Sequence, residues 1–113
     1  MKTEDRIQQE CYMWFWNTYP ELRKLLFAIP NGRYRNVIDA VILNKTGLVA
    51  GVSDMIFLYK GTAYLFELKT ETGVQSDVQK EWEAIVNKQG FNYYIIRDFI
   101  EFSKVIVGII NNN

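Results

Sequence analysis

Apolar and polar positions alternate along this chain with two different periods, and the switches between them outline the fold. Ile7, Cys11, Trp14, Phe15 and Thr18 form a stripe at helical spacing, with Thr3 as N-cap, Glu4 and Asp5 in the first turn, and Tyr19-Pro20 as the stop. Leu22 to Ile29 is apolar but short, which suits a turn of helix followed by an extended piece. Pro30-Asn31-Gly32 reads as a loop. Val37, Ile38, Val41 and Ile42 within Arg33 to Asn44 fit a second helix closed by Gly47, although their β-branching leaves a strand open. Two strands follow, Met55 to Tyr59 and Thr62 to Leu68, around Lys60-Gly61. Ser76 caps a helix running to about Gln89, with Val78, Trp82, Ile85 and Val86 as its core stripe and Gly90 beyond its end. Phe91 to Arg97 is a third strand. Asp98 then caps a last helix carrying Phe99, Phe102, Val105, Ile106, Ile109 and Ile110. The strand–helix–strand unit from Glu67 to Tyr93 requires parallel strands joined by a right-handed crossover. The expected architecture is α/β, with the order α-α-β-β-α-β-α around a mixed β-sheet flanked by helices.

The hairpin brings chemistry with it. If the loop is Lys60 and Gly61 alone, Tyr59 faces Thr62, position 54 faces position 67, and the Cβ atoms of Asp54 and Glu67 lie roughly 5 Å apart. Side chains alternate, so Lys69 shares the face of Glu67. Two acids and an amine on one patch suit a metal and a phosphate. A longer loop would shift the register and turn Asp54 away, and a surface ion cluster is the bland alternative. Against that alternative, strands apolar on both faces are usually covered on both sides, and a covered carboxylate needs a cation or several donors. Just ahead of Asp54, Leu48-Val49-Ala50-Gly51 lets the backbone pass close to something.

Composition narrows the choice. At 113 residues, 49% hydrophobic and without repeats, the chain is expected to form a single domain, 1–113. Its apolar runs are far too short for a membrane span, and the polar start suggests no signal peptide. One cysteine, Cys11, fits core packing and a cytoplasmic, reducing setting. The absence of histidine removes His-based acid–base and nucleophile chemistry and His-ligated zinc, and no Gly-rich phosphate loop is present. Carboxylates, lysines and a hard metal remain for hydrolysis. Net charge is zero. Between Leu22 and Ser53, however, Arg23, Lys24, Arg33, Arg35 and Lys45 oppose only Asp39, a local basic stretch able to meet phosphates or to serve as a solvated face.

An acid before one strand and Glu-x-Lys on the next, followed by helix, strand and helix, resembles the PD-(D/E)XK nuclease superfamily with its restriction-endonuclease-like core. Pro30-Asn31-Gly32 with Arg33 and Arg35, Gly47 followed by Gly51-Val52-Ser53-Asp54, and Gly73-x-x-Ser76-x-x-Gln79 narrow the resemblance to the VRR-NUC (virus-type replication-repair nuclease) domain in its short stand-alone form. Ser53 stands where that family usually has proline, and a single glycine follows Asn31 where two are common. The resemblance implies Asp54, Glu67 and the backbone carbonyl of Leu68 as ligands of Mg²⁺ or Mn²⁺, with Glu10 completing the site through water. Lys69 is implied to orient the attacking water, Gln79 to border the site, and Arg33, Arg35, Lys45 and Ser76 to contact nucleic acid. The implied activity is that of a metal-dependent endodeoxyribonuclease selective for DNA structure, branched or junction DNA included. A Holliday-junction resolvase in replication, recombination or repair is one such enzyme.

Two other readings use the same fold: a catalytically silent nucleic-acid-binding module and an assembly subunit. A homodimer is expected because the last helix is apolar most of the way round from Val105 to Ile110 and the first carries Trp14, Phe15 and Trp16 in succession. The same residues would equally suit a packed monomer core.

Overall fold

A computed structural model describes residues 1–30, 41–42 and 45–112. Helix α1 spans Glu4–Thr18. Thr3 caps it, its hydroxyl accepting the Arg6 N–H at 3.1 Å, which satisfies one of the donors a helix start leaves open. A 3₁₀ turn at Pro20–Leu22 leads into strand β1, Leu26–Ala28, the turn-then-extended piece the sequence indicated. Strands β2 (Met55–Tyr59) and β3 (Thr62–Leu68) form the hairpin. Helix α2 (Asp77–Lys88), strand β4 (Asn92–Ile96) and helix α3 (Phe99–Asn111) complete the chain.

The sheet order is β1-β2-β3-β4. The first two pairings are antiparallel, and β3 with β4 is parallel, as the intervening helix demands. The fold is therefore α/β with a mixed sheet flanked by helices, as expected, but β1 adds a strand to the expected order by pairing with β2. The expected second helix, with Arg33 and Arg35 in it, lies outside the described residues except for Val41 and Ile42, which are helical.

The hairpin register is the expected one, from Tyr59↔Thr62 back to Met55↔Phe66. Lys60 at φ +47° and Gly61 at φ +83° both take positive φ, the signature of the two-residue type I′ turn whose twist matches the strands. The ladder stops one pair short of Asp54. The Asp54 N–H bonds the Phe66 carbonyl at 2.9 Å, and its own carbonyl accepts the Ile29 N–H at 2.8 Å. Asp54 thus sits just beyond the strand end, tied to both neighbouring strands.

Strand alternation sorts the sheet into two faces. Leu26, Met55, Phe57, Tyr64, Phe66, Leu68 and Ile96 join Ile7, Cys11 and Phe15 of α1 and Phe102, Ile106 and Ile109 of α3 in one buried cluster. Trp14 packs edge-on against Phe99 and Phe102. The aromatic first helix and apolar last helix are therefore largely engaged with each other. Burial of Cys11, with smaller contributions from the nearby Glu10 and Asp98 carboxylates, pushes its thiol pKa up to about 12, consistent with packing rather than nucleophilic use. The opposite face belongs to α2, which contacts β4. Its expected core stripe is only partly realised: Val86 is buried, whereas Val78 and Ile85 are 47% and 53% exposed. Helical spacing alone could not foresee this, because β4, the strand α2 packs against, lies at the edge of the sheet.

Candidate active site

Every residue of β3 from Tyr64 onward, and Lys69 after it, is buried. Glu67 and Lys69 occur among them because the face opposite the apolar core is where odd-numbered β3 residues point. Glu67 is 0% exposed and Lys69 8%, which disposes of the surface ion cluster. The Lys69 N–H bonds the Ile96 carbonyl at 3.0 Å, prolonging the β3–β4 pairing past the end of β3. Its Nζ stands 3.9 Å from Glu67 Oε2.

Asp54 approaches from the neighbouring strand end. Its Oδ2 accepts the backbone N–H of Leu68 at 2.7 Å, which places its carboxylate beside the chain between Glu67 and Lys69. Gly51 makes this approach possible. It has φ +83°, and a Cβ there would lie 2.3 Å from the Val78 carbonyl oxygen in the first turn of α2, so only glycine fits. That is the close passage anticipated ahead of Asp54. Ser53 between them is fully buried, and its hydroxyl has no hydrogen-bond partner among the described residues.

The two oxygens of Glu67 differ. Oε1 accepts from the Tyr93 hydroxyl and from Gln75 Nε2, the latter at 3.3 Å. Oε2 is buried and has no hydrogen-bond partner among the described residues. Gln75 Nε2 also donates to Glu83 Oε1 at 2.9 Å. Tyr93 packs edge-to-face on Trp82 at 6.0 Å. Burial first, then its hydrogen bond to Glu67, raises the Tyr93 phenol pKa well above its ordinary value, so it is a proton donor at neutral pH.

The other expected residues are placed differently. Glu10 is bound on α1 by Lys2, whose Nζ lies 2.9 Å from each of its oxygens, with Arg6 at 3.9 Å. It lines a cavity of about 240 Å³ with Glu71, Arg97 and Asp98. Gln79 and Ser76 form a reciprocal capping box at the start of α2, so the Gln79 amide oxygen serves the helix end. Lys45 is exposed. Among the described residues no three Cys, Asp or Glu side chains assemble as a metal cage; the candidate donor set is Asp54, Glu67 and a backbone carbonyl. It suits a hard cation all the same: all donors are oxygens, and the buried Glu67 Oε2 is left without a donor.

Sequence reasoning overlooked Gln75, Glu83, Tyr93 and Arg97. Tyr93 carried a signal. In a parallel β3–β4 pair its side chain shares a face with Ile95, and Ile95 is the partner of Glu67. Arg97 Nη1 donates to the carbonyls of Thr70 at 2.8 Å, Gly73 at 2.7 Å and Glu71 at 3.4 Å, shaping the loop that leaves Lys69. Nothing in the spacing pointed to it.

Solved structures with this fold include one described as a VRR_NUC domain protein. It superposes with a TM-score of 0.79 at 20% identity, over 96% of this chain and 88% of that one. Another, described as a VRR_NUC domain, gives a TM-score of 0.60 at 18% identity over 93% and 96% of the two chains. No protein-family model and no curated protein sequence matches. The chain has the VRR_NUC fold, the one its motifs resemble.

Proposed function

We propose that this domain is a metal-dependent nuclease hydrolysing phosphodiester bonds in DNA, with Asp54, Glu67 and the Leu68 carbonyl holding Mg²⁺ or Mn²⁺. The observation that carries this reading is the buried Oε2 of Glu67, which lacks a hydrogen-bond donor among the described residues and stands 3.9 Å from Lys69 Nζ. Lys69 at 3.9 Å meets part of the cost of keeping this carboxylate dry, and a divalent cation would meet the rest. The shared VRR_NUC fold supports the same reading, with the site residues rather than the fold carrying the chemistry.

When bound, a divalent cation supplies Lewis-acid polarisation of the phosphate and makes water acidic enough to attack near neutral pH. The chain's own groups do the rest. Asp54 and Glu67 fix the cation's place, the first anchored on the Leu68 N–H and the second on Tyr93 and Gln75. Lys69 holds its ammonium where negative charge grows on the phosphate and orients the attacking water, an effect strengthened by its burial. Glu10 and Gln79 enter only by resemblance, since the first is ion-paired with Lys2 and the second caps α2. Arg33, Arg35, Lys45 and Ser76 belong to the reading as contacts to the DNA backbone.

Branched DNA cut by a two-fold pair is the finer form of this proposal. On α3, Ile106 and Ile109 are buried, leaving Ile100 and Val107 exposed one above the other as the apolar surface for a second copy. Light scattering with and without junction DNA, on wild type and on Ile100→Glu with Val107→Glu, tests the pairing, and a wild type that stays monomeric on junctions removes it.

The decisive assay incubates labelled duplex, flap and four-way-junction DNA with Mg²⁺, Mn²⁺ or EDTA. Cleavage is expected with either metal and none with EDTA. Lys69→Met keeps the side-chain stem, so turnover should drop by about 10²–10³-fold while Mn²⁺ still binds in calorimetry. Retarded but intact DNA under every condition would favour the silent binding module.

A further inference from the structure

The asymmetry between the two oxygens of Glu67 reaches beyond the ligand set itself. Among the described residues both of its donors converge on Oε1, one from β4 and one from the residue before the α2 cap, and neither reaches Oε2. A carboxylate on a strand can rotate about its last torsion, exchanging its two oxygens, unless something distinguishes them. Here the distinction is built from three side chains. Gln75 lies between two carboxylates, which only accept, so its NH₂ end must serve both, at 3.3 Å to Glu67 and 2.9 Å to Glu83. Glu83 thereby fixes which end of the Gln75 amide faces Glu67. Tyr93 is steadied by its edge contact with Trp82.

We propose that Tyr93 and Gln75, the latter held by Glu83, are positioning residues that fix Glu67 by its Oε1 and so present Oε2 to the divalent cation. This rests on the nuclease reading above. It adds three residues that touch neither cation nor phosphate and act through Glu67 alone. Hydrogen bonds to a ligating carboxylate set its orientation, and their removal typically lowers metal affinity about 10–100-fold.

The test is Mn²⁺ calorimetry on the intact chain, paired with thermal unfolding. Tyr93→Phe removes one oxygen and should weaken Mn²⁺ binding about 10–100-fold, with the unfolding midpoint of the metal-free protein little changed. Gln75→Leu should do the same. Glu83→Leu should follow, while Glu83→Gln should restore affinity, because its amide oxygen still accepts from Gln75. A purely structural role would not produce that rescue. If Gln75→Leu fails to fold, Tyr93→Phe and the Glu83 pair decide. Wild-type Mn²⁺ affinity in Tyr93→Phe and in Glu83→Leu overturns the proposal while leaving the nuclease reading intact. A wild type that binds no Mn²⁺, or a Glu67→Gln variant that binds it equally well, overturns both.

Discussion

The two faces of the sheet are built on opposite rules. Against α1 and α3, thirteen buried side chains among the described residues close into one cluster that is apolar apart from the Tyr64 hydroxyl and the Cys11 thiol. On the side of α2, the same strands present Glu67, Lys69 and Tyr93, with one buried carboxylate oxygen left without a donor among the described residues. The helix over them buries only Val86 among its own residues. The lesson is a division of labour. One face supplies the stability that the other gives up by keeping charge in a dry place, a common relation between a core and a functional site.

The sharpest way to break this comparison is to exchange losses between the faces. Glu67→Gln, on the site face, should lower DNA cleavage by about a thousandfold or more while leaving chemical denaturation unchanged or shifted to higher stability. Phe102→Ala, on the core face, should destabilise by about 3–5 kcal/mol and act on cleavage only through the unfolded fraction. Phe102 is fully buried and packs edge-on against Phe66 and Trp14, so the cavity has little means of closing. If Glu67→Gln unfolded the protein, or Phe102→Ala left its stability untouched, the division would be wrong.

A smaller effect is expected where the site face meets α2. Gly51→Ala places a Cβ against the Val78 carbonyl at a backbone angle L-residues avoid, and should cost about 1–3 kcal/mol. Cleavage should fall further than stability explains, because Asp54 follows three residues on. Denaturant melts beside cleavage rates at a temperature where both proteins are folded would separate the two.

The smallest lies at the hairpin tip, remote from both faces. Lys60 holds φ +47°, a conformation that asparagine tolerates better. Lys60→Asn should therefore stabilise by up to about 1 kcal/mol with no change in cleavage. Equilibrium unfolding in urea is sensitive enough to see it.

Much of this was legible beforehand, for reasons that differ by element. The hairpin could be read because its two-residue loop fixes the register, and with the register came the neighbourhood of Asp54, Glu67 and Lys69. The caps Thr3, Ser76 and Asp98 could be read because capping is local chemistry. Strand β1 was harder. Three residues carry too little periodicity to announce a strand, and its identity depends on β2 lying alongside. Gln75 and Glu83 were hidden for a similar reason: each is an ordinary polar residue in the sequence, and only the docking of α2 against β4 brings them to their partners. Val78 and Ile85 misled because helical spacing says which side is apolar, not how much of it a neighbour will cover.

The loop after Lys69 is gathered by Arg97, whose guanidinium meets three of its main-chain carbonyls. In many ion-dependent proteins such a ring of carbonyls is drawn together by the ion itself, and chelation unravels it. Here the positive centre is a covalent part of the chain. The loop is thus held from within, and under the proposed metal-dependent reading a chelator would remove the cation without loosening this loop.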